Sequence, residues 1–293
     1  HLLRVADHVS FNSPTQWKRH KAAALAAGRK ISFGLRVNPE HAEVDVELYN
    51  PCAAGSRLGT LRSEIKSAAD LDGLEGLHFH TMCQQGSDVL ERTVAAFEAK
   101  FGEFLPHVKW VNFGGGHHIT RADYQREELA EFLKDAAADT GCEIILEPGE
   151  AVALDAGILV GTLLDTHFNA MPVGITDISA TCHMPDVLEA PYRPAMLGEL
   201  PQVEAEVDET AGGAVRLGGP SCLAGDVIGD YRFPVPVEPG LRFAFLDQAH
   251  YSMVKTTTFN GVPLPSIWLW DSASDALECV KRFGWEDFRD RLS

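Results

Sequence analysis

No two cysteines of this chain lie close together: six stand singly at 52, 83, 142, 182, 222 and 279. Without a CxxC pair or the cysteine density of a small stapled scaffold, a disulfide framework is set aside and reduced, cytoplasmic thiols are expected. Basic residues are scarce as well, 25 Lys and Arg against 42 Asp and Glu, for a formal charge of −17. Phosphate backbones need a basic face, so no nucleic-acid partner is expected. The acidic balance suits a cationic small substrate, though it also serves plain solubility. The longest apolar runs, such as "AVALDAGILVGTLLD", are broken by Asp and Gly and are too short for a membrane span. No basic segment followed by an apolar one opens the chain, so no secretory signal is visible. No glycine-rich loop ends in Lys-Ser/Thr, which excludes a nucleotide P-loop.

What is present is a core-forming composition, 45% hydrophobic over 293 residues, enough for about two domains. The first half alternates strand-like and helix-like runs. "HVSFNS", "ISFGLRV", "GLEGLHFHT", "KWVNFGGG" and "CEIILEPGE" read as five strands. Helical stretches are expected over Pro14–Ala27, from about Leu61, over Ser87–Phe104 and over Arg121–Asp139. Such alternation means parallel strands covered by helices. From about residue 153 short runs separated by Gly and Pro read as an all-β domain. The expected domains are therefore 1–152 and 153–293.

The conspicuous residues sit where the strands end: Asn12, Arg36, His78, His80, Gly114 to Gly116 and Glu147. A (β/α)8 barrel carries its chemistry at those ends, and so does an open doubly wound sheet. His78 and His80 share one face of a strand and could bind a metal, lie against a planar ring, or simply be hydrogen-bonded. "NFGGGHH" exposes three successive backbone N–H groups, a phosphate cradle or a tight turn. Glu147 ends a buried strand and needs a cationic partner, whether an arginine, a metal or a protonated ring nitrogen. Tyr251 could reach a phosphate or pack in a core. Cys182, His183 and Asp186 invite a metal reading, but neighbours on a strand point to opposite faces, and no metal is expected. Cys222 sits in "GGPSCLAGD", with Asp226 four residues on.

Taken in order, HFH, GGG, EPG, a later Cys-x-x-x-Asp and a Tyr before "TFNG" resemble the pyridoxal-phosphate-dependent decarboxylases of the alanine-racemase fold, the ornithine and diaminopimelate decarboxylase group. "NPCAAGSRLG", "EPGEAV", "FNAMP", "CHMPDVLEAPYRP" and "PSCLAGD" resemble its carboxynorspermidine/carboxyspermidine branch, over essentially the whole chain. The resemblance implies an α/β plus all-β protein, a cofactor-binding (β/α)8 (TIM) barrel with a C-terminal β domain. It implies pyridoxal 5'-phosphate as cofactor and a carboxylated polyamine as substrate. On the matching positions, His80 stacks on the cofactor ring and Gly114, Gly115 and Gly116 cradle its phosphate. Glu147 faces the ring nitrogen, whose protonation makes the ring an electron sink. Arg36 lies near the cofactor, and Tyr251 contacts the phosphate. Cys222 is the proton donor, delivered across a homodimer interface into the partner's active site.

The diaminopimelate and ornithine enzymes follow EPG with arginine; here stands Glu150. With Asp186 and Asp226, it is expected to meet substrate ammonium groups. The family's Schiff-base lysine, at the end of the first barrel strand, has no counterpart here. The motifs fall on the family's sixth, seventh and eighth barrel strands, so the five strands begin at its fourth. The expectation is a chain lacking the first barrel strands, by truncation or otherwise, and inactive alone. Three alternatives stay open: an ornithine-, lysine- or diaminopimelate-type decarboxylase, a metal-dependent barrel hydrolase built on His78 and His80, and a catalytically dead homologue.

Overall fold

The hydroxyl of Ser13 accepts the N–H of Gln16 at 3.1 Å, and Pro14 fills the first helical turn, where its missing N–H is no loss. These two residues start α1 (Pro14–Leu25), which follows β1 (His8–Phe11) and leads to β2 (Ser32–Arg36). After β3 (Gly76–His78) come α2 (Ser87–Phe101), β4 (Trp110–Asn112), α3 (Arg126–Thr140) and β5 (Glu143–Ile145). The structure is a computed structural model that describes residues 1–201 and 213–292. It divides into two units, His1–Val152 and Ala153–Ser293.

In the first unit all five strands run parallel in the order β1-β2-β3-β4-β5. Sequential parallel strands joined by helical crossovers are the wall pattern of a (β/α) barrel. One row across the sheet shows why glycine interrupts two strands. Gly34, Gly76 and Trp110 stand side by side in register. A Cβ on Gly76 would sit 2.1 Å from the Trp110 indole, and one on Gly34 would sit 2.3 Å from it. The indole therefore needs both glycines, and its N–H donates to Ser32 Oγ at 2.8 Å. On α2, Leu90, Val94, Phe97 and Phe101 repeat every three or four residues and are buried. Phe97 meets Phe79 at 5.0 Å, and Phe79 meets Phe113 at 5.2 Å. Phe79 and Phe113 directly follow the last residues of β3 and β4, so these rings pack at the C-terminal ends of the strands.

Three helical expectations are corrected. No α-helix follows Leu61; only 3-10 turns form at Arg62–Glu64 and Ala68–Leu71. There the Asp70 carboxylate accepts the N–H groups of Lys66 and Ser67, diverting backbone donors from a helix. α2 stops at Phe101 and continues as a 3-10 segment, Gly102–His107, containing Pro106. α3 begins at Arg126 rather than Arg121, because turns at His118–Tyr124 and the Arg126 guanidinium take up the preceding carbonyls. It ends on Gly141 at φ +67°, a left-handed position that glycine takes without strain.

The second unit is built on a five-stranded sheet, β10-β6-β7-β8-β9, antiparallel except where β7 meets β8. Its strands are β6 (Leu159–Asn169), β7 (Met171–Thr176), β8 (Val215–Gly218), β9 (Val227–Tyr231) and β10 (Arg242–Phe245). A hairpin follows, β11 (Ile267–Asp271) with β12 (Ala276–Lys281). Leu163, Leu217, Ile228, Tyr231 and Phe245 form the buried core. Short helices also occur, at Ala180–His183, Asp186–Glu189, Tyr251–Val254 and Trp285–Leu292. The unit is thus mainly rather than wholly β. Cys182 and His183 lie on a helical turn capped by Ser179, not on a strand, and both side chains are buried.

Candidate active site

Arg36, His78 and Asn112 end β2, β3 and β4 at one level, paired in register, with Ile145 of β5 beside them. Two residues further on come His80 and Glu147, and the Gly114–Gly116 turn lies between them. The parallel sheet therefore assembles residues more than a hundred positions apart.

The glycine turn is defined by close approach. A Cβ on Gly115 would lie 2.2 Å from the Glu147 carbonyl oxygen, and one on Gly116 would lie 2.2 Å from that of Met82. Gly114 and Gly116 also have φ of +75° and +86°. The expectation of three free N–H groups needs correction. Gly114 N–H donates to Asn112 Oδ1 at 2.8 Å, and Gly115 N–H donates to His80 Nδ1 at 3.1 Å. The acceptor role of Nδ1 places the proton of the neutral His80 ring on Nε2. Burial first, then the positive charge of Arg36, lowers the His80 pKa to about 4. At neutral pH His80 is an uncharged planar surface, suited to lie against a planar ring.

Glu147 gives the strand ends an ionised carboxylate. Its carboxylate is half-exposed and lies 3.4 Å from His78 Nε2. The His78 ring, opposed by burial and aided by Asn112 and His80, holds its pKa at about 2. Arg36 donates to the His80 carbonyl at 3.3 Å. Burial lowers the Arg36 pKa, countered by Cys52 and Glu147. One donor atom each from His78, His80 and Glu147 gather within 4.8 Å. A neutral stacking imidazole, an anionic carboxylate and a backbone turn without side chains fit a flat, anionic heterocycle with a basic ring nitrogen. Metal chemistry would need the same carboxylate, while one His80 nitrogen already serves Gly115.

Residues that sequence reasoning missed complete this rim. Gln84 Nε2 donates to Glu150 Oε1 at 2.7 Å, and His118 Nε2 lies 3.5 Å from Glu150 Oε2. Gln84 holds φ +57°, an uncommon conformation for a residue with a side chain. The doubled histidine after the glycines was the available signal. His117 is fully buried with neither ring nitrogen hydrogen-bonded, and burial lowers its pKa to about 4.

In the second unit Cys222 is an exposed free thiol. Asp226, expected to meet a substrate ammonium, is corrected: it is 4% exposed and its carboxylate is engaged internally. Oδ2 accepts Ser179 Oγ at 2.8 Å and Ser221 N at 3.2 Å, and Oδ1 accepts Thr181 N at 3.2 Å. A Cβ on Gly219 would come within 2.4 Å of Oδ2, so glycine is required there. Cys222 N–H donates to Asn260 Oδ1 at 2.8 Å. His183 accepts Ser179 N–H on Nδ1 and so offers Nε2–H to the Pro263 carbonyl at 3.0 Å. Asp186 forms an ion pair with Lys255, which also reaches Glu189 at 3.2 Å. Tyr251 opens the short helix Tyr251–Val254 with its ring half-exposed.

No protein-family model matches the chain. Curated relatives do. It is 39% identical over 292 residues to a carboxynorspermidine/carboxyspermidine decarboxylase of Campylobacter jejuni, covering 98% of this chain and 75% of the relative. It is 40% identical over 300 residues to a carboxyaminopropylagmatine decarboxylase of Synechocystis, covering 99% and 73%. A crystal structure of carboxynorspermidine decarboxylase from Campylobacter jejuni, complexed with norspermidine, superimposes with a TM-score of 0.86 at 36% identity, over 99% of this chain and 76% of that one. Diaminopimelate decarboxylase from Helicobacter pylori shares the fold at a TM-score of 0.78 and 18% identity, over 96% and 72%.

Fold and strand-end site together define a pyridoxal-phosphate-dependent decarboxylase of the alanine-racemase fold, a carboxy-lyase with an α/β barrel and a β domain. The chain belongs to the carboxynorspermidine/carboxyspermidine decarboxylase family.

Proposed function

We propose that the enzyme removes the α-carboxylate of carboxynorspermidine or carboxyspermidine, in polyamine biosynthesis, as a cytoplasmic homodimer. The observation that carries this reading is Glu150. Its carboxylate, 11% exposed and steadied by Gln84 and His118, follows the Glu-Pro-Gly motif at the sequence position where the resemblance puts an arginine in the diaminopimelate-type enzymes. An anion there favours a substrate whose second end carries ammonium groups over one ending in a carboxylate. Asp186, in the second unit, is the other carboxylate proposed for a substrate ammonium, and there Lys255 already pairs with it.

His80 would carry the cofactor ring on its face, and Arg36 would flank it. The Gly114–Gly116 turn would hold the cofactor phosphate, and Glu147 would face the ring nitrogen. Bound pyridoxal phosphate supplies an electron sink for the bond that breaks when CO2 leaves. Glu147, anionic throughout the physiological range, would keep the ring nitrogen protonated for that purpose. Cys222 Sγ, exposed on a tethered loop, would return a proton to the substrate α-carbon in the partner's site.

A second reading has specific support. The Synechocystis relative, 40% identical, is named for carboxyaminopropylagmatine. A guanidinium would meet Glu150 as readily as an ammonium does. Turnover by the complete enzyme is compared on carboxynorspermidine, carboxyspermidine, carboxyaminopropylagmatine and diaminopimelate. Preference for either of the first two, with norspermidine or spermidine as product, supports the proposal. Preference for the third moves the assignment to the second reading, and preference for diaminopimelate overturns both.

A further inference from the structure

His78 is the one group at the strand-end site with no assigned task. Its ring is 12% exposed, and neither nitrogen has a hydrogen-bond partner. Buried polar atoms without partners are uncommon because each gives up water for nothing in return. The group nearest to satisfying it is Glu147, at 3.4 Å from Nε2, an ion-pair distance without hydrogen-bond alignment. Active-site contacts are often loose of this kind in the unliganded enzyme and tighten once the site is filled.

We infer that His78 is a positioning residue for Glu147, holding one carboxylate oxygen so that the other faces the cofactor's ring nitrogen. The inference rests on the role proposed for Glu147 above. Three adjacent strand ends supply the geometry. His78 stands in register with Asn112, and Asn112 with Ile145, two residues before Glu147. Asn112 spends its side-chain oxygen on Gly114 N–H, which leaves its amide N–H groups for Glu147. The carboxylate is thus bracketed by a ring from β3 and an amide from β4. The other charged or titratable groups facing it are His80, beyond β3, and Arg36, on β2, with Cys52 and Arg57 acting on Arg36. His78 is the largest influence holding the Glu147 pKa down, and burial is the influence it overcomes. Without His78 the burial effect loses its main opponent, and a protonated Glu147 no longer supports a protonated ring.

The test compares H78F, which removes both nitrogens, with H78Q, which retains an N–H donor, in the complete enzyme. E147Q serves as the reference. Cofactor affinity is read by fluorescence titration, and kcat and KM are followed against pH. In H78F, kcat should fall about 10-fold or more with KM nearly unchanged, and cofactor affinity should weaken by about 10-fold. H78F should also gain an acid limb above pH 4 that the parent lacks, and H78Q should recover most of each loss. If H78F does not accumulate as folded protein, H78S is read in its place. The inference is overturned if E147Q weakens cofactor binding while the His78 variants leave affinity and pH profile unmoved. It is also overturned if the enzyme as purified retains stoichiometric zinc that H78F loses. If E147Q itself changes nothing, the role proposed for Glu147 fails, and the inference with it.

Discussion

The side-chain oxygen of Asn260 accepts the backbone N–H of Cys222 at 2.8 Å, across 38 residues of sequence. Asn260 is itself held at φ +57°, in the turn whose Thr257 N–H donates to the Cys182 carbonyl at 2.8 Å. The next N–H back along the loop, that of Ser221, is held by buried Asp226. An exposed thiol is therefore mounted on a backbone fixed at two successive residues. Replacing Asn260 by alanine removes one of these ties while the thiol stays. Alkylation of Cys222 by iodoacetamide should change in rate, and kcat should drop by about 10-fold with KM little altered. An unchanged alkylation rate together with unchanged kcat would show that the tie does not set the thiol's position.

Asp226 anchors the same loop from inside. Asp226→Ala leaves the buried donor of Ser179 and the half-buried donors of Thr181 and Ser221 without their acceptor. The expected loss is about 3 kcal/mol of unfolding free energy, measured by urea denaturation. Asp226→Asn keeps one acceptor oxygen and should lose less. If Asp226 instead met substrate, the asparagine variant would raise KM without lowering stability.

The Gly34–Gly76–Trp110 row makes a packing prediction. Gly76→Ala places a methyl inside the indole's volume, so stability should fall by about 2 kcal/mol or more. Trp110→Leu should also destabilise alone, yet combined with Gly76→Ala the two losses should sum to more than the double variant shows. A double-mutant cycle in denaturant measures that coupling. Additive losses would mean that the indole moves aside freely.

Burial lowers the pKa of His80 and of His117 to about 4. Below the ordinary histidine value near pH 6.5, the unfolded chain takes up protons that these folded rings refuse. Stability should consequently decline as pH falls from about 6.5 to 4, with up to two protons taken up on unfolding. Glu147 works in the same direction lower down: its carboxylate favours the folded state above the ordinary glutamate range and ceases to do so toward pH 2. Urea midpoints across pH 4–8 check the histidine contribution, and His117→Phe should flatten the slope by about one proton.

Four of the five parallel strands were legible because each is a short apolar, β-branched or aromatic run closed by Gly, Pro or Asn, and such runs have few other ways to be buried; β3, Gly-Leu-His, was marked by its histidines instead. The "GGG" and "EPGE" stretches were legible as motifs for a related reason. Close backbone approach at Gly115 and Gly116 tolerates no Cβ, so glycine itself records the contact. The stretch after Leu61 misled because its apolar spacing suits a helix, while Asp70 captures the backbone donors that a helix would need. Cys182 and His183 misled through a similar local cause, the cap provided by Ser179.

By itself the sequence determined the order of elements, the acidic balance, the motifs at the strand ends and, through them, the family. Those follow from local propensity and from residue types that backbone geometry restricts. Only the tertiary structure decided which polar groups meet. It paired Lys255 with Asp186, turned Asp226 inward to Ser179 and Ser221, set Gln84 against Glu150, and brought His78 to Glu147. Each pairing except that between Ser221 and Asp226 spans from 47 to 69 residues of chain. A carboxylate reads the same in sequence whether it faces substrate or a buried hydroxyl. Its role is fixed by the donors that folding delivers to it, because desolvating a charge is tolerable only where such donors are waiting.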